Sequence, residues 1–209
     1  MSCYVALDGP DGCGKTAQAQ ALVQWLQAAG RTVLHVREPG STSVGEALRQ
    51  LLLSPATGEL QPISEALLFA AARAELVAGK VAPALRDGAI VVSERCYLST
   101  VVYQGLAFAG GPGSALPTDW LFDLARRVHG ACVPDQVLVL DVPFEVSLAR
   151  RHSRAEDRIE GRGRDYHERV RRGYLEAAAR DGRASVVDAS RPFEVVQQEL
   201  QQAISRWLR

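Results

Sequence analysis

Apolar residues along the chain fall into two patterns that alternate. Five short stretches are largely apolar and nearly continuous: Tyr4 to Leu7, Thr32 to Val36, Ala89 to Val92, Val137 to Leu140 and Ser185 to Val187. Strands of a parallel sheet covered on both faces read this way, because every side chain meets the core. Between them apolar residues recur at spacings of three and four. Ala17 to Ala28 sets Ala19, Leu22, Val23 and Leu26 on one stripe, Val44 to Leu53 is helical in pattern, and Ser64 to Leu85 reads as one long helix. Phe69 and Arg73 on that helix are four apart and share a face. Taken alone, they suggest a phenylalanine in the core and an arginine at its rim.

Alternating strands and helices predict an α/β domain with a five-stranded parallel sheet flanked by helices. Pro55 to Pro62 is the most linker-like stretch but is too short to separate domains, so residues 1–209 are expected to form one domain. A Gly- and Pro-rich loop spans Ala109 to Pro117. With 47% hydrophobic residues in 209 the chain has material for a sizeable core. Its formal net charge is zero, so no global field draws it to nucleic acid or membrane, and any basic site must be local. No apolar run approaches a membrane span and no signal-like segment opens the chain, which predicts a cytoplasmic protein. Cys3, Cys13, Cys96 and Cys132 lack metal-ligand spacing and read as small, partly buried thiols.

Chemistry concentrates where strands meet loops. Gly9 to Thr16, reading GPDGCGKT, fills every fixed position of the phosphate-loop pattern G-x-x-x-x-G-K-[ST]. It lies between the first strand and the first helix, as that motif requires. Glycines allow amides to turn inward around a polyphosphate, and the helix N-terminus adds partial positive charge. Lys15 is expected on the β/γ-phosphates and the Thr16 hydroxyl on Mg²⁺. Cys13, inside this loop, is expected to be sensitive to alkylation by position. The second strand ends in Arg37, Glu38, Pro39 and Gly40, and the third in Ser93, Glu94 and Arg95, at the strand ends where ligands of open parallel sheets bind. Ser99, Thr100, Tyr103 and Gln104 follow on one helical face. Finally, residues 150 to 172 hold nine Arg against five acids. That density fits a solvated helix face, an RNA surface or a lid that clamps phosphate; RNA is disfavoured because aromatics are not interleaved. Arginine suits a lid because its charge is permanent and its donors match the equatorial oxygens of a transferring phosphoryl group.

Taken together, these residues resemble the thymidylate kinases. The resemblance covers nearly the whole length: the phosphate loop with Asp11, Arg37-Glu38-Pro39-Gly40, Phe69 and Arg73, Glu94-Arg95, Ser99-Thr100 with Tyr103-Gln104-Gly105, and Asp157-Arg158-Ile159-Glu160. It implies the P-loop nucleoside monophosphate kinase fold with an Arg-rich lid at about 150–164, and transfer of a phosphoryl group from ATP to dTMP with Mg²⁺ in dTTP biosynthesis. ATP would be held by Gly9, Pro10, Asp11, Gly12, Cys13, Gly14, Lys15 and Thr16, with Arg150 near adenine. For dTMP, the resemblance implies Asp11 on the sugar 3′-hydroxyl, Arg37 and Arg95 on the phosphate, and Phe69 stacked on thymine with Arg73 at its edge. It further places Tyr103 where a ribose 2′-hydroxyl would go and Gln104 beside the base, with Glu38, Ser99 and Thr100 completing the site. Lys15, Arg95, Glu94 and the lid residues Arg154 and Arg158 would be catalytic, and Thr16 and Glu94 would serve the metal. Loop positions Pro10 to Cys13 contain no Arg, so the chain is similar to the bacterial subclass with its catalytic arginine in the lid. A cis Glu38-Pro39 bond and a homodimer are also implied.

Two positions depart from the family pattern. Glu94 stands where Asp is usual, and Val102 where Ala is usual. Glu94-Arg95 is also similar to the Glu-Arg-Ser motif of deoxynucleoside kinases, which makes that class the alternative. A regulatory NTP-binding protein is the third reading. The two arginines gathered at the acceptor argue against a neutral sugar hydroxyl as phosphoryl acceptor, and the lid cluster argues for turnover.

Overall fold

The computed structural model describes residues 2–108, 115–151 and 163–207. Five parallel strands form one sheet: β1 (Cys3–Asp8), β2 (Val33–Arg37), β3 (Ile90–Glu94), β4 (Gln136–Asp141) and β5 (Ala184–Asp188), in the order β2-β3-β1-β4-β5. The interior strands β1, β3 and β4 are buried almost throughout, which is why they read as continuous apolar runs. The order reverses around β1. Loops after β1 and β3 therefore diverge into the crevice that open α/β sheets use for ligands. Register aligns the crevice: Leu7 pairs with Glu94, and Glu94 with Arg37, so three strand ends finish at one level.

Helices cover both faces. On one side α1 (Lys15–Ala28) and α9 (Phe193–Ile204) bury Ala19, Leu22, Leu26, Val196, Leu200 and Ile204. On the other, α5 (Tyr97–Val101), α6 (Thr118–His129) and α8 (Arg164–Arg180) bury Leu98, Leu121, Val170 and Tyr174. Helix α2 (Ser43–Leu53) packs beside α3 (Pro62–Leu76), and α7 (Phe144–Arg151) follows β4.

The stretch expected as one helix from Ser64 to Leu85 is interrupted. After α3 comes a π-helical turn at Val77–Val81, then α4 (Ala82–Arg86). Pro83 is the physical reason: its ring clashes with the carbonyl four residues back in a regular α-helix and it offers no N–H, so the wider turn just before it lets the chain continue. A second π turn, Val102–Leu106, extends α5 and carries Tyr103 and Gln104. The linker-like stretch holds a 3₁₀ turn at Pro55–Thr57. The Glu38-Pro39 bond is cis.

Candidate active site

A cavity of about 530 Å³ opens over the C-terminal ends of β1, β2 and β3. Its size matches that of a small-ligand site. One wall is the phosphate loop. Gly9, Gly12 and Gly14 have φ of 138°, 76° and 96°, in the left-handed region that favours glycine. At Gly9 a Cβ would also approach the Leu140 carbonyl oxygen to 2.5 Å, so a side chain there would displace the loop from the sheet. Gly14 ends the loop as the N-cap of α1. Among the described residues no side chain caps this helix, and its first turn holds no acid. By contrast, α2 is capped by Thr42, which accepts from the Gly45 N–H, and has Glu46 in its first turn. The bare N-terminus of α1 leaves amide donors for an anion, the arrangement that helix N-termini offer to phosphate groups.

Lys15 folds back over the loop, its Nζ donating to the Gly9 and Pro10 carbonyls at 2.9 Å each. Ser147 on α7 donates to the Asp11 carbonyl, and Arg150 donates to the Ala189 carbonyl at 3.1 Å while lying beside Gly14. Cys13 does not meet the expectation of alkylation sensitivity: it is 1% exposed, and burial pushes its thiol above the ordinary range.

Thr16 and Glu94 meet although 78 positions separate them: the hydroxyl donates to Glu94 Oε2 at 2.5 Å. Glu94 Oε1 lies 3.0 Å from His35 Nε2. Burial alone would raise the Glu94 carboxyl; the nearby His35 ring and the hydrogen bond from Thr16 outweigh it and hold the carboxyl below its ordinary value. No group of three or more His, Cys, Asp or Glu able to hold a metal occurs among the described residues. Mg²⁺ needs no such cage, since it keeps several waters and takes one or two protein oxygens plus phosphates, so the Thr16 hydroxyl with the Glu94 carboxylate fits it.

The opposite wall is organised by Arg95. Its φ of 72° puts a non-glycine residue in the left-handed region, which costs about 1–3 kcal/mol and survives only where neighbours over-determine it. They do so here. Its guanidinium pairs with Asp11, donates to the Gly9 carbonyl at 3.3 Å, Ser99 Oγ at 3.1 Å and the Tyr174 hydroxyl at 3.2 Å, and lies 5.5 Å from the Tyr103 ring centre. Tyr103 donates to Asp11 Oδ2 at 2.9 Å, so Asp11 joins both. Behind them sits Asp8, fully buried, which accepts from the Gly9, Cys96 and Ser99 amides, the Ser99 hydroxyl and the Tyr174 hydroxyl. One carboxylate thus ties the first turn of the phosphate loop to the segment that carries Arg95.

Arg37, Glu38, Phe69, Thr100 and Gln104 line the far end of the cavity, where Arg37 is half exposed and paired with Glu46. Gln104 is buried, and its amide donates to Glu65 Oε2 at 2.8 Å. Arg73 is not at a rim. It is 4% exposed, donates to Glu38 Oε2 at 2.5 Å, and reaches the Cys96 carbonyl and Thr100 Oγ1, in the layer beneath the cavity lining.

The structure therefore gathers Gly12, Gly14, Lys15, Thr16, Asp11, Arg37, Glu38, Phe69, Glu94, Arg95, Ser99, Thr100, Tyr103, Gln104 and Arg150 around one cavity, with Arg73 behind it. Arg154 and Arg158 lie outside the described residues. Sequence reasoning passed over Asp8, His35, Glu65 and Tyr174, and also Arg49, which lines the cavity and donates to the Pro39 carbonyl at 3.0 Å. Asp8 had a signal, an acid closing an apolar strand one residue before the phosphate loop; Tyr174 had none.

The thymidylate kinase family profile matches residues 7–200. Over 209 residues the chain is 43% identical to a thymidylate kinase of Symbiobacterium thermophilum, covering all of this chain and 95% of that one. It is 45% identical over 200 residues to that of Thermomicrobium roseum, covering 94% and 91%. With that of Fervidobacterium nodosum it shares 36% identity over 206 residues, covering 98% and 100%.

Proposed function

The chain belongs to the thymidylate kinase family, and from that premise we propose that the cavity transfers the γ-phosphoryl group of ATP to the phosphate of dTMP, giving dTDP for nucleotide biosynthesis. It is a nucleoside monophosphate kinase, a phosphotransferase. The deoxynucleoside kinase alternative is not favoured, because the family match spans nearly the whole chain. The observation that carries the reading is Arg95: a guanidinium locked beside the carbonyl of Gly9, so that a second phosphate is met directly opposite the loop that holds the first.

In this mechanism the loop amides bind the donor polyphosphate, and Lys15 leaves the Gly9 and Pro10 carbonyls for the β/γ-phosphates. Mg²⁺, when bound at Thr16 and Glu94, supplies charge neutralisation on the phosphate oxygens. Arg95 and Arg37 hold the acceptor phosphate in line with the donor, while Phe69 stacks on the base with Arg73 at its edge and Gln104 helps to hold it. The acceptor oxygen is already anionic, so no general base is required, and Glu94 works as a metal-side ligand and not as a base. Arg154 and Arg158 bring further charge from the lid, whose closure keeps water from taking the phosphoryl group.

The protein works in the cytoplasm as a homodimer. Among the described residues no helix is long and apolar enough to cross a membrane, and the dimer is supported by exposed apolar side chains on two adjacent helices, Val44 and Leu51 on α2 and Ile63 and Leu67 on α3. Light scattering after size exclusion tests the dimer. The function is tested by coupled ADP release with ATP and a panel of nucleoside monophosphates and thymidine. The expected result is turnover with dTMP and none with thymidine; the reverse would replace this reading by the alternative.

A further inference from the structure

We propose that His35 is a positioning residue: it holds the Glu94 carboxylate toward the phosphate loop, so that a glutamate can serve the metal side of the donor nucleotide. The inference rests on the reading of Glu94 as a metal-side ligand and adds to it a residue that no motif contains.

β2 and β3 are parallel neighbours, with Arg37 paired to Glu94 and His35 to Val92. Residues two apart on a strand share a face, so His35 stands one step back from Arg37 on the side from which Glu94 can be reached diagonally. The ring uses that reach, since His35 Nε2 lies 3.0 Å from Glu94 Oε1. The other oxygen, Oε2, accepts from Thr16. Nε2 is buried and has no aligned hydrogen-bond partner among the described residues, so the 3.0 Å approach is a close polar contact that a small rotation of the ring would turn into an N–H donated to Oε1. With one oxygen given to His35 and the other turned to Thr16, the plane of the carboxylate is set and Oε2 is the oxygen left on the loop side.

Length explains why a brace is useful. Glutamate carries one more methylene than aspartate and one more rotatable bond, so an unheld Glu94 would spread its carboxylate over several rotamers. An aspartate at this position would stop short of the ring. The His35 contact converts a flexible acid into a fixed one, the service that hydrogen-bond partners of metal-bound carboxylates perform in general. Both groups are mostly shielded from solvent, with side-chain exposures of 29% for His35 and 14% for Glu94, so water competes weakly for the contact.

The test uses the full-length enzyme and two readouts: binding of Mn²⁺ to the enzyme·ADP complex, followed by the loss of the free-ion electron paramagnetic resonance signal, and the KM values for ATP and dTMP. His35→Leu keeps bulk and removes the N–H. It is expected to weaken Mn²⁺ binding by about 10-fold, leaving the dTMP KM unchanged. His35→Gln places an amide nitrogen near the position of Nε2 and is expected to restore binding; His35→Asn, being shorter, is not. In a Glu94→Asp background, His35→Leu is expected to have no further effect. Wild-type Mn²⁺ binding by His35→Leu, or equal losses for the Leu and Gln variants, would overturn the proposal, and this holds whether or not the Leu variant melts lower. Glu94→Gln separates the two levels: if it leaves Mn²⁺ binding intact, the metal-side reading of Glu94 fails, whereas a loss in Glu94→Gln with none in His35→Leu removes His35 alone.

Discussion

The wall proposed for the donor is one uninterrupted run, Gly9 to Thr16, whereas the wall proposed for the acceptor is collected from β2, α3, the residue after β3, α5 and the turn after it. The two walls also use different parts of the chain. The donor wall works through backbone amides, three positive-φ glycines and a single lysine. In the acceptor wall side chains do the work, each braced by another: Arg95 by Asp11, Ser99 and Tyr174, Gln104 by Glu65, and Arg37 by Glu46. Polyphosphate is common to many nucleotides, and a contiguous backbone cradle is enough to hold it. Selecting one monophosphate requires contacts along the length of a whole nucleotide, and no single loop spans that distance.

If this division holds, lesions in the donor wall should stop chemistry without disturbing the fold, and lesions behind the acceptor wall should do both. Lys15→Ala should lower turnover by about 10³-fold or more with a nearly unchanged melting temperature, because its Nζ contacts only groups of its own loop, the Gly9 and Pro10 carbonyls and the Cys13 thiol. Stopped assays beside a thermal melt check it, and near-wild-type turnover would dissolve the distinction. Arg154→Ala or Arg158→Ala should cost about 10³-fold in turnover with little change in dTMP affinity, since a lid arginine acts on transition-state charge. Equal, small effects from both would return the segment to a solvated helix face.

Asp8→Asn probes the seam between the walls. An amide cannot accept everything that this buried carboxylate accepts and brings an N–H against donors, so a loss of about 3 kcal/mol is expected. The melting temperature should fall on the order of 5–10 °C, with turnover reduced as Arg95 loosens. A variant that is as stable as wild type would show that the two walls are held independently. The smallest effect belongs to Tyr103, whose ring is expected to exclude a ribose 2′-hydroxyl. Tyr103→Phe loses the hydrogen bond to Asp11, worth about 1 kcal/mol, and should keep the preference for dTMP over ribothymidine monophosphate. Tyr103→Ala should narrow that preference. The ratio of kcat/KM values decides, and an unchanged ratio in a folded Tyr103→Ala protein would remove the wall.

The same division explains what could be read from the sequence. Strands β1, β3 and β4 are buried on both faces and announce themselves as apolar runs, and the phosphate loop announces itself because its spacing is fixed by backbone geometry. Acceptor roles for Phe69, Tyr103 and Gln104 came from family resemblance, since nothing local distinguishes them from core residues. Tyr174 was invisible: it meets Asp8 across 166 positions, and only the packing of α8 against the sheet brings them together. Arg73 departs from the rim position expected of a helix-face arginine, which usually reaches water; Glu38, delivered by the end of β2, is what permits its burial. The break before Pro83 was readable in principle, as a proline inside a helical pattern.

The central claim is that Arg95 faces an acceptor phosphate and that the acceptor is therefore a nucleotide and not a nucleoside. Calorimetric titration of dTMP and of thymidine into the wild-type protein and into Arg95→Ala tests it most directly. The account predicts that the wild type binds dTMP about 100-fold more tightly than thymidine, that Arg95→Ala loses most of this difference, and that thymidine binds both proteins alike. Equal binding of dTMP and thymidine by the wild type, or a dTMP affinity untouched by Arg95→Ala, would contradict it.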